Sequence, residues 1–228
     1  MSYVRFSSWH HMIVGPVIDD QQVEMLQTWL LQQLNAHAGP EKFKLTLIIN
    51  ANRGSYPACL TLYDFLRALE DGVELYVITQ GVANGPVALI PLAADYERRF
   101  MAPLTVFQVG FPKVPGHWGK FPLDLDGPID SNEYLTAQRD QAEKHRVDDL
   151  PVLYSLRDSA AFILTERLPE RPPYRDACQL LRDTRVYDGE RAIKAGFACD
   201  AVPRFALPQM VAPQAPDTAE QNMRLGYL

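Results

Sequence analysis

The stretch Val77-Ile78-Thr79-Gln80-Gly81-Val82-Ala83-Asn84-Gly85-Pro86 constrains this chain most. An apolar, β-branched run stops at small residues, and a second apolar run, Val87 to Ala94, follows at helical spacing. That pattern predicts a strand, a tight elbow and a helix. Elbows of this kind present a side chain and backbone N–H groups at the end of a sheet, beside a helix N-terminus. Hydrolases place a nucleophile at the tip. Here the tip offers Ala83 and Asn84, and neither is a usual nucleophile.

The preceding residues supply the partner of this unit. Phe43 to Asn50 reads as a buried strand because both of its faces become apolar. Ala51-Asn52-Arg53-Gly54-Ser55 reads as a loop that leads straight into a helix, with Ser55 as cap and Pro57 in the first turn. Leu60, Tyr63, Leu66 and Leu69 mark the buried stripe of that helix, and Asp71-Gly72 turns the chain into Val73 to Thr79. This βαβα alternation implies a parallel sheet with helices packed on it. The loop-to-helix junctions at Gly54 and Asn84 then fall at the carboxyl ends of strands, where open α/β sheets place ligands.

Upstream, Met12 to Val17 is a short predicted strand. Asp19 with Gln22 three residues later starts a helix whose apolar stripe is Val23, Leu26, Trp29, Leu30 and Leu34. Downstream, residues 98–101 and 104–109 predict short strands. The texture then changes. Gly110 to Asp130 holds four prolines and four glycines with Phe111, Trp118 and Phe121, and has no period. It reads as a functional lid or an interaction arm. Ser131 to His145 predicts a polar, exposed helix. Asp149 and Pro151 start a helix with Leu153, Leu156, Ala160, Ile163 and Leu164 buried. Tyr174 to Arg182 predicts another, and Asp188 caps a short helix over 189–195. Phe197 to Val202 predicts a last strand, and a Pro-, Ala- and Gln-rich tail follows.

Composition removes several classes of function. A net charge of −6 argues against nucleic-acid binding, and no apolar run approaches the ~20 residues that span a bilayer. Cys59, Cys178 and Cys199 are odd in number and lack metal-ligand spacing; Cys59 and Cys199, in apolar contexts, predict buried thiols, and the setting expected is a reducing cytoplasm. The His10-His11 pair has no carboxylate or thiol at ligand spacing, so neither a metal nor a cofactor is expected.

The order of motifs resembles the proteolytic subunit of the Clp protease, and more broadly the Clp/crotonase superfamily. Val17-Ile18-Asp19-Asp20 resembles the entry to the family's first helix. Ile49-Asn50, Gly54 and Leu62-Tyr63-Asp64 resemble its I-N-S-P-G-G loop and following I-Y-D. Gln80-Gly81-Val82-Ala83-Asn84-Gly85 stands where the family has Q-A-A-S-M-G. Arg99-Phe100 with Pro103 resembles the next strand pair, and Ala192 to Asp200 the closing E-A-x-x-x-G-L-V-D. The likeness covers roughly residues 12 to 109 and 180 to 202.

The resemblance implies an α/β fold, a Clp/crotonase-like spiral of ββα units with parallel sheets. Residues 1–203 form its domain, 110–148 an inserted arm or lid, and 204–228 a tail. Carried over residue by residue, the nucleophilic serine falls on Ala83, the histidine base on Phe107 and the aspartate on Thr184, with Asp183 one residue away. A triad needs a nucleophile, a base and a group that orients the base. The resemblance therefore implies a catalytically inactive, Clp-peptidase-like subunit or a binder of peptide-like ligands at a vestigial site. The family's oxyanion hole is built from two backbone N–H groups, which fall on Gly54 and Asn84. The first glycine of the family's loop pair is Arg53 here. Self-association into a homo-oligomeric ring, or with an active homologue, is implied. The family's hydrophobic N-terminal axial segment is shortened or replaced, which argues against docking to an unfoldase ATPase. Two alternatives stay open. One is a crotonase-like enzyme that holds an acyl-CoA enolate in the same hole. The other is a peptidase with a rearranged site drawing on Ser55, His117 or His145.

Overall fold

The computed structural model describes residues 10–37, 39–110, 114–115, 122–123, 152, 154–183 and 185–202. Its centre is a parallel pair. Strand β3 (Phe43–Ala51) lies beside strand β5 (Val73–Asn84), with Leu45 opposite Leu75 and Leu47 opposite Val77. Strand β1 (His10–Val14) extends the sheet from β3. Strand β6 (Arg99–Met101) extends it from β5, and β11 (Asp200–Ala201) closes that edge. All these pairings are parallel, as the alternation predicts.

Side-chain alternation divides the sheet's two faces. Met12, Val14, Leu45, Leu47, Ile49, Leu75, Val77 and Met101 point to the main core. Helix α1 (Asp20–Ala36) and helix α2 (Tyr56–Ala68) cover that face. Asp19 caps α1 by accepting from the Gln22 N–H at 2.9 Å, and Val23 and Leu30 are its buried residues. Ser55 caps α2 by accepting from the Ala58 N–H at 3.1 Å. Tyr63 and Leu66 are buried as expected, and Leu60 and Leu69 are partly buried. Tyr56, Cys59 and Leu62 are also buried, because a second layer covers the other side of this helix.

That layer corrects the elbow. β5 does not stop at Thr79 but continues to Asn84, and the following helix is a 3-10 helix over Gly85–Ala93. Two causes are visible. Gly81 has φ +69°, which bends the strand without breaking it, and the Asn50 side chain braces the bend by accepting from the Val82 N–H at 3.2 Å. Pro86 and Pro91 lack N–H donors, and Pro91 lies inside the helix, where an α-helical ladder would need one. Val87 through Ala93 are all buried, so this helix is core on every side.

Beyond the bend, β5 changes neighbours. Val82, Ala83 and Asn84 pair with Val106, Phe107 and Gln108 of strand β7 (Val106–Gln108), rather than with β6. The expected loop at 51–55 is also partly strand: β4 (Arg53–Gly54) pairs in parallel with β2 (Val17–Ile18). Strands β8 (Val114–Pro115) and β9 (Pro122–Leu123) form an antiparallel pair inside the segment expected to have no regular structure.

Helix α3 (154–167) buries Ala160, Ile163 and Leu164 of its predicted stripe and partly buries Leu156, while Leu153 and the expected start at Asp149 and Pro151 lie outside the described residues. Helix α4 (Tyr174–Asp183) follows, then strand β10 (Val186–Tyr187), antiparallel to β7, and helix α5 (Gly189–Lys194), capped by Asp188. The last predicted strand shortens to β11. The predicted helix at 131–145 and the tail at 204–228 lie outside the described residues.

Candidate functional site

The bend in β5 brings the first two expected site positions together. Ala83 and Phe107 are partners across the parallel ladder of β5 and β7, and both are fully buried. Ala51 is the partner of Ala83 on its other side. Phe107 stacks on Phe197 with ring centroids 4.9 Å apart, and Tyr187 meets the same ring at 5.5 Å. Where a polar relay would need solvent access and hydrogen-bonding partners, this structure places a methyl group and three packed aromatic rings. Thr184 and the histidines at 117 and 145 lie outside the described residues. Asp183 is exposed at the end of α4, where it accepts from Gln179 Nε2 at 2.6 Å and contacts Arg185.

The two expected backbone donors sit at the rim of this packed region. Asn84 is exposed, ends β5 and precedes the 3-10 helix without capping it through its side chain. Gly54 is half-buried. A Cβ there would come within 2.6 Å of Cys59 Sγ and 3.1 Å of Val87 Cγ2. Glycine is thus required at 54 by contact with α2 and with the start of the 3-10 helix. The Ser55 hydroxyl is engaged as the α2 cap. Cys59 beneath Gly54 is no nucleophile, since burial pushes its thiol up to about 12. Burial likewise raises the Tyr56 phenol far above its ordinary range, and its O–H donates to the Gly110 carbonyl, pinning the chain as it leaves β7.

The far end of the 3-10 helix carries a feature that the motifs do not reveal. Arg99 is only 1% exposed, and its guanidinium donates to the carbonyls of Ala94 (2.9 and 2.8 Å), Leu92 (3.4 Å) and Arg167 (2.8 Å). Arg167 of α3 donates to Leu92 at 2.9 Å and Ala94 at 2.7 Å. Two cations thus satisfy the orphan carbonyls at the helix's negative end. Desolvation, with Arg167 nearby, lowers Arg99 to about 10. A charged residue beside a strand signal (Arg98-Arg99) was legible, but its burial was not. Among the described residues no three His, Cys, Asp or Glu side chains gather to hold a metal, and no helix is long and apolar enough to cross a membrane.

The fold and the strand–bend–helix unit define an α/β protein of the Clp peptidase type. The Clp protease family model matches residues 1–114, half of the chain, and this chain belongs to the Clp protease family. Among solved structures it is similar to a ClpP1 mutant from Listeria monocytogenes, at 15% identity and a TM-score of 0.61, covering 86% of this chain and 92% of that one. ClpP1 from Listeria monocytogenes superposes likewise, at 14% identity and a TM-score of 0.60, covering 84% and 90%. At these identities the likeness shows a shared fold. No curated protein matches the chain.

Proposed function

We propose that this protein is a catalytically inactive member of the Clp protease family that acts as an oligomer subunit or as a holder of peptide-like ligands. One observation carries the reading: Ala83 and Phe107, which stand at the serine and histidine positions by resemblance, are paired, apolar and sealed from water. Neither can give or take a proton, so nucleophilic acyl transfer has no starting step there. Gly54 and Asn84 serve in this reading as backbone donors to a bound carbonyl, since donors of that kind do not depend on side-chain identity. Self-association belongs to the same reading and rests on the family resemblance, since Clp proteolytic subunits assemble into rings. The three free cysteines suit a reducing cytoplasm.

The test is hydrolysis of a fluorogenic dipeptide and of casein. The wild-type chain should show none, and Ala83→Ser should not restore any, because Phe107 supplies no base. Robust wild-type hydrolysis abolished by Ser55→Ala would sink the reading in favour of a rearranged site. A thermal-shift series with acyl-CoA thioesters tests the crotonase-like alternative, since a ligand bound only by the folded state raises the Tm.

A further inference from the structure

Four stretches of chain surround Gly54 and Asn84. Gly15 to Ile18 runs into β2 beside Arg53 and Gly54, and Asn50 to Ser55 leads into α2. Gly81 to Pro86 ends β5, and Val106 to Gly110 carries β7 beside it. These four stretches contain no Asp and no Glu, and Arg53 is their only charged residue. In a chain with 28 acidic residues and a net charge of −6, the rim of this site is locally positive.

That charge is uncompensated. Arg53 is exposed, and among the described residues its side chain enters no ion pair and no hydrogen bond. A Cβ on Gly54 would point inward, at Cys59 and Val87, so alternation sends the Arg53 side chain out from the opposite face of β4. The backbone next to it is open as well. The Ser55 N–H donates to the Ile18 carbonyl of β2 at 3.0 Å. Successive backbone groups of an extended strand face opposite sides, so the Gly54 N–H points to the other edge of β4, where no described strand is paired. Asn84 is exposed and its side chain caps nothing. Gly85, the next residue, has φ +61°, and nothing lies within 4 Å of where its Cβ would be.

We propose that Arg53 makes this site a receptor for a carboxylate, the free C-terminus of a peptide, with one oxygen on the Gly54 N–H and the other on the guanidinium. This rests on the reading of Gly54 and Asn84 as donors to a peptide-like ligand, and it narrows that ligand from any peptide carbonyl to a chain end. A neutral internal carbonyl has a use for the N–H groups but leaves the guanidinium to water. A terminal carboxylate is ionised at neutral pH and uses both, in charge-assisted bonds that a planar guanidinium is shaped to make. The pair stays in contact with solvent, which limits the gain, so a preference of about fivefold for the acid over the corresponding amide is expected.

Fluorescence anisotropy of the full chain with two labelled pools of random pentapeptides tests the assignment. The pools are identical except that one ends in a carboxylate and the other in a carboxamide. The wild-type chain should bind the acid pool about fivefold more tightly, and Arg53→Gln should remove the difference. Arg53→Lys should keep part of it. Arg175→Gln, which removes an exposed arginine from α4, should keep all of it. Unfolding midpoints of the three variants, matched to that of the wild type, exclude a folding defect. Equal binding of the two pools by the wild type, or a preference that survives Arg53→Gln, would overturn the carboxylate assignment and leave the peptide-holding reading in place. Binding of neither pool would overturn both.

Discussion

At the scale of single residues, space and solvation decide what each position can do. Ala83 is sealed between Ala51 and Phe107, so a hydroxyl added there lacks water. Ala83→Ser is expected to cost about 1–3 kcal/mol in denaturant unfolding while leaving peptide hydrolysis at background. Gly54→Ala puts a methyl group 2.6 Å from Cys59 Sγ. Overpacking of that kind costs about 1–3 kcal/mol, which chemical denaturation would register. The buried thiol and phenol make stability fall at high pH. For an acid whose folded pKa is raised, the folded state keeps a proton that the unfolded chain has already lost. Cys59 therefore contributes its full stability below its ordinary value of 9.0 and loses it progressively as pH rises from there to about 12. The slope is about 1.4 kcal/mol per pH unit for one proton, and Tyr56 adds to it above 10.0. Unfolding midpoints measured between pH 8 and 11 should drop accordingly, and a flat profile would contradict the burial of both groups.

At the scale of elements, the caps were legible and the couplings between elements were not. Asp19, Ser55 and Asp188 each precede an apolar helical stripe, and each accepts the N–H three residues on. Ser55→Ala should cost ~1 kcal/mol, the usual value of an N-cap, with no other phenotype. The 3-10 helix is different. Its apolar run reads as an ordinary helix, yet Pro91 removes a needed donor, and its C-terminal carbonyls are satisfied by Arg99 from β6 and Arg167 from α3. Nothing local signals that arrangement, because the two arginines are 68 residues apart in the chain. Arg99→Lys would leave buried carbonyls unpaired and should destabilise by about 2–4 kcal/mol. Arg98→Ala, next to it but in half-buried surface ion pairs with Glu74 and Asp95, should cost about 1 kcal/mol or less, and urea titration of both variants separates these cases.

At the scale of the whole molecule, the outcome depends on how β5 turns. Had it ended at Thr79, the next residues would stand free at the sheet's edge as an exposed elbow. Because Gly81 bends it and Asn50 holds the bend, β5 reaches β7 and closes the site positions into the core. Light scattering of the purified chain checks the proposed assembly: a mass above that of one chain is expected, and a strict monomer would remove the subunit role. The sequence by itself determined the alternation of strands and helices, the parallel sheet, the three caps and the family, because these depend on local periodicity and on short motifs in order. It also showed that Ala83 carries no nucleophile. Only the tertiary structure decided that Ala83 and Phe107 are sealed partners and that Arg99 is buried against a helix end. It likewise decided that the residues expected to form an elbow are strand. Those facts rest on contacts between segments far apart in the chain, which no window of sequence contains.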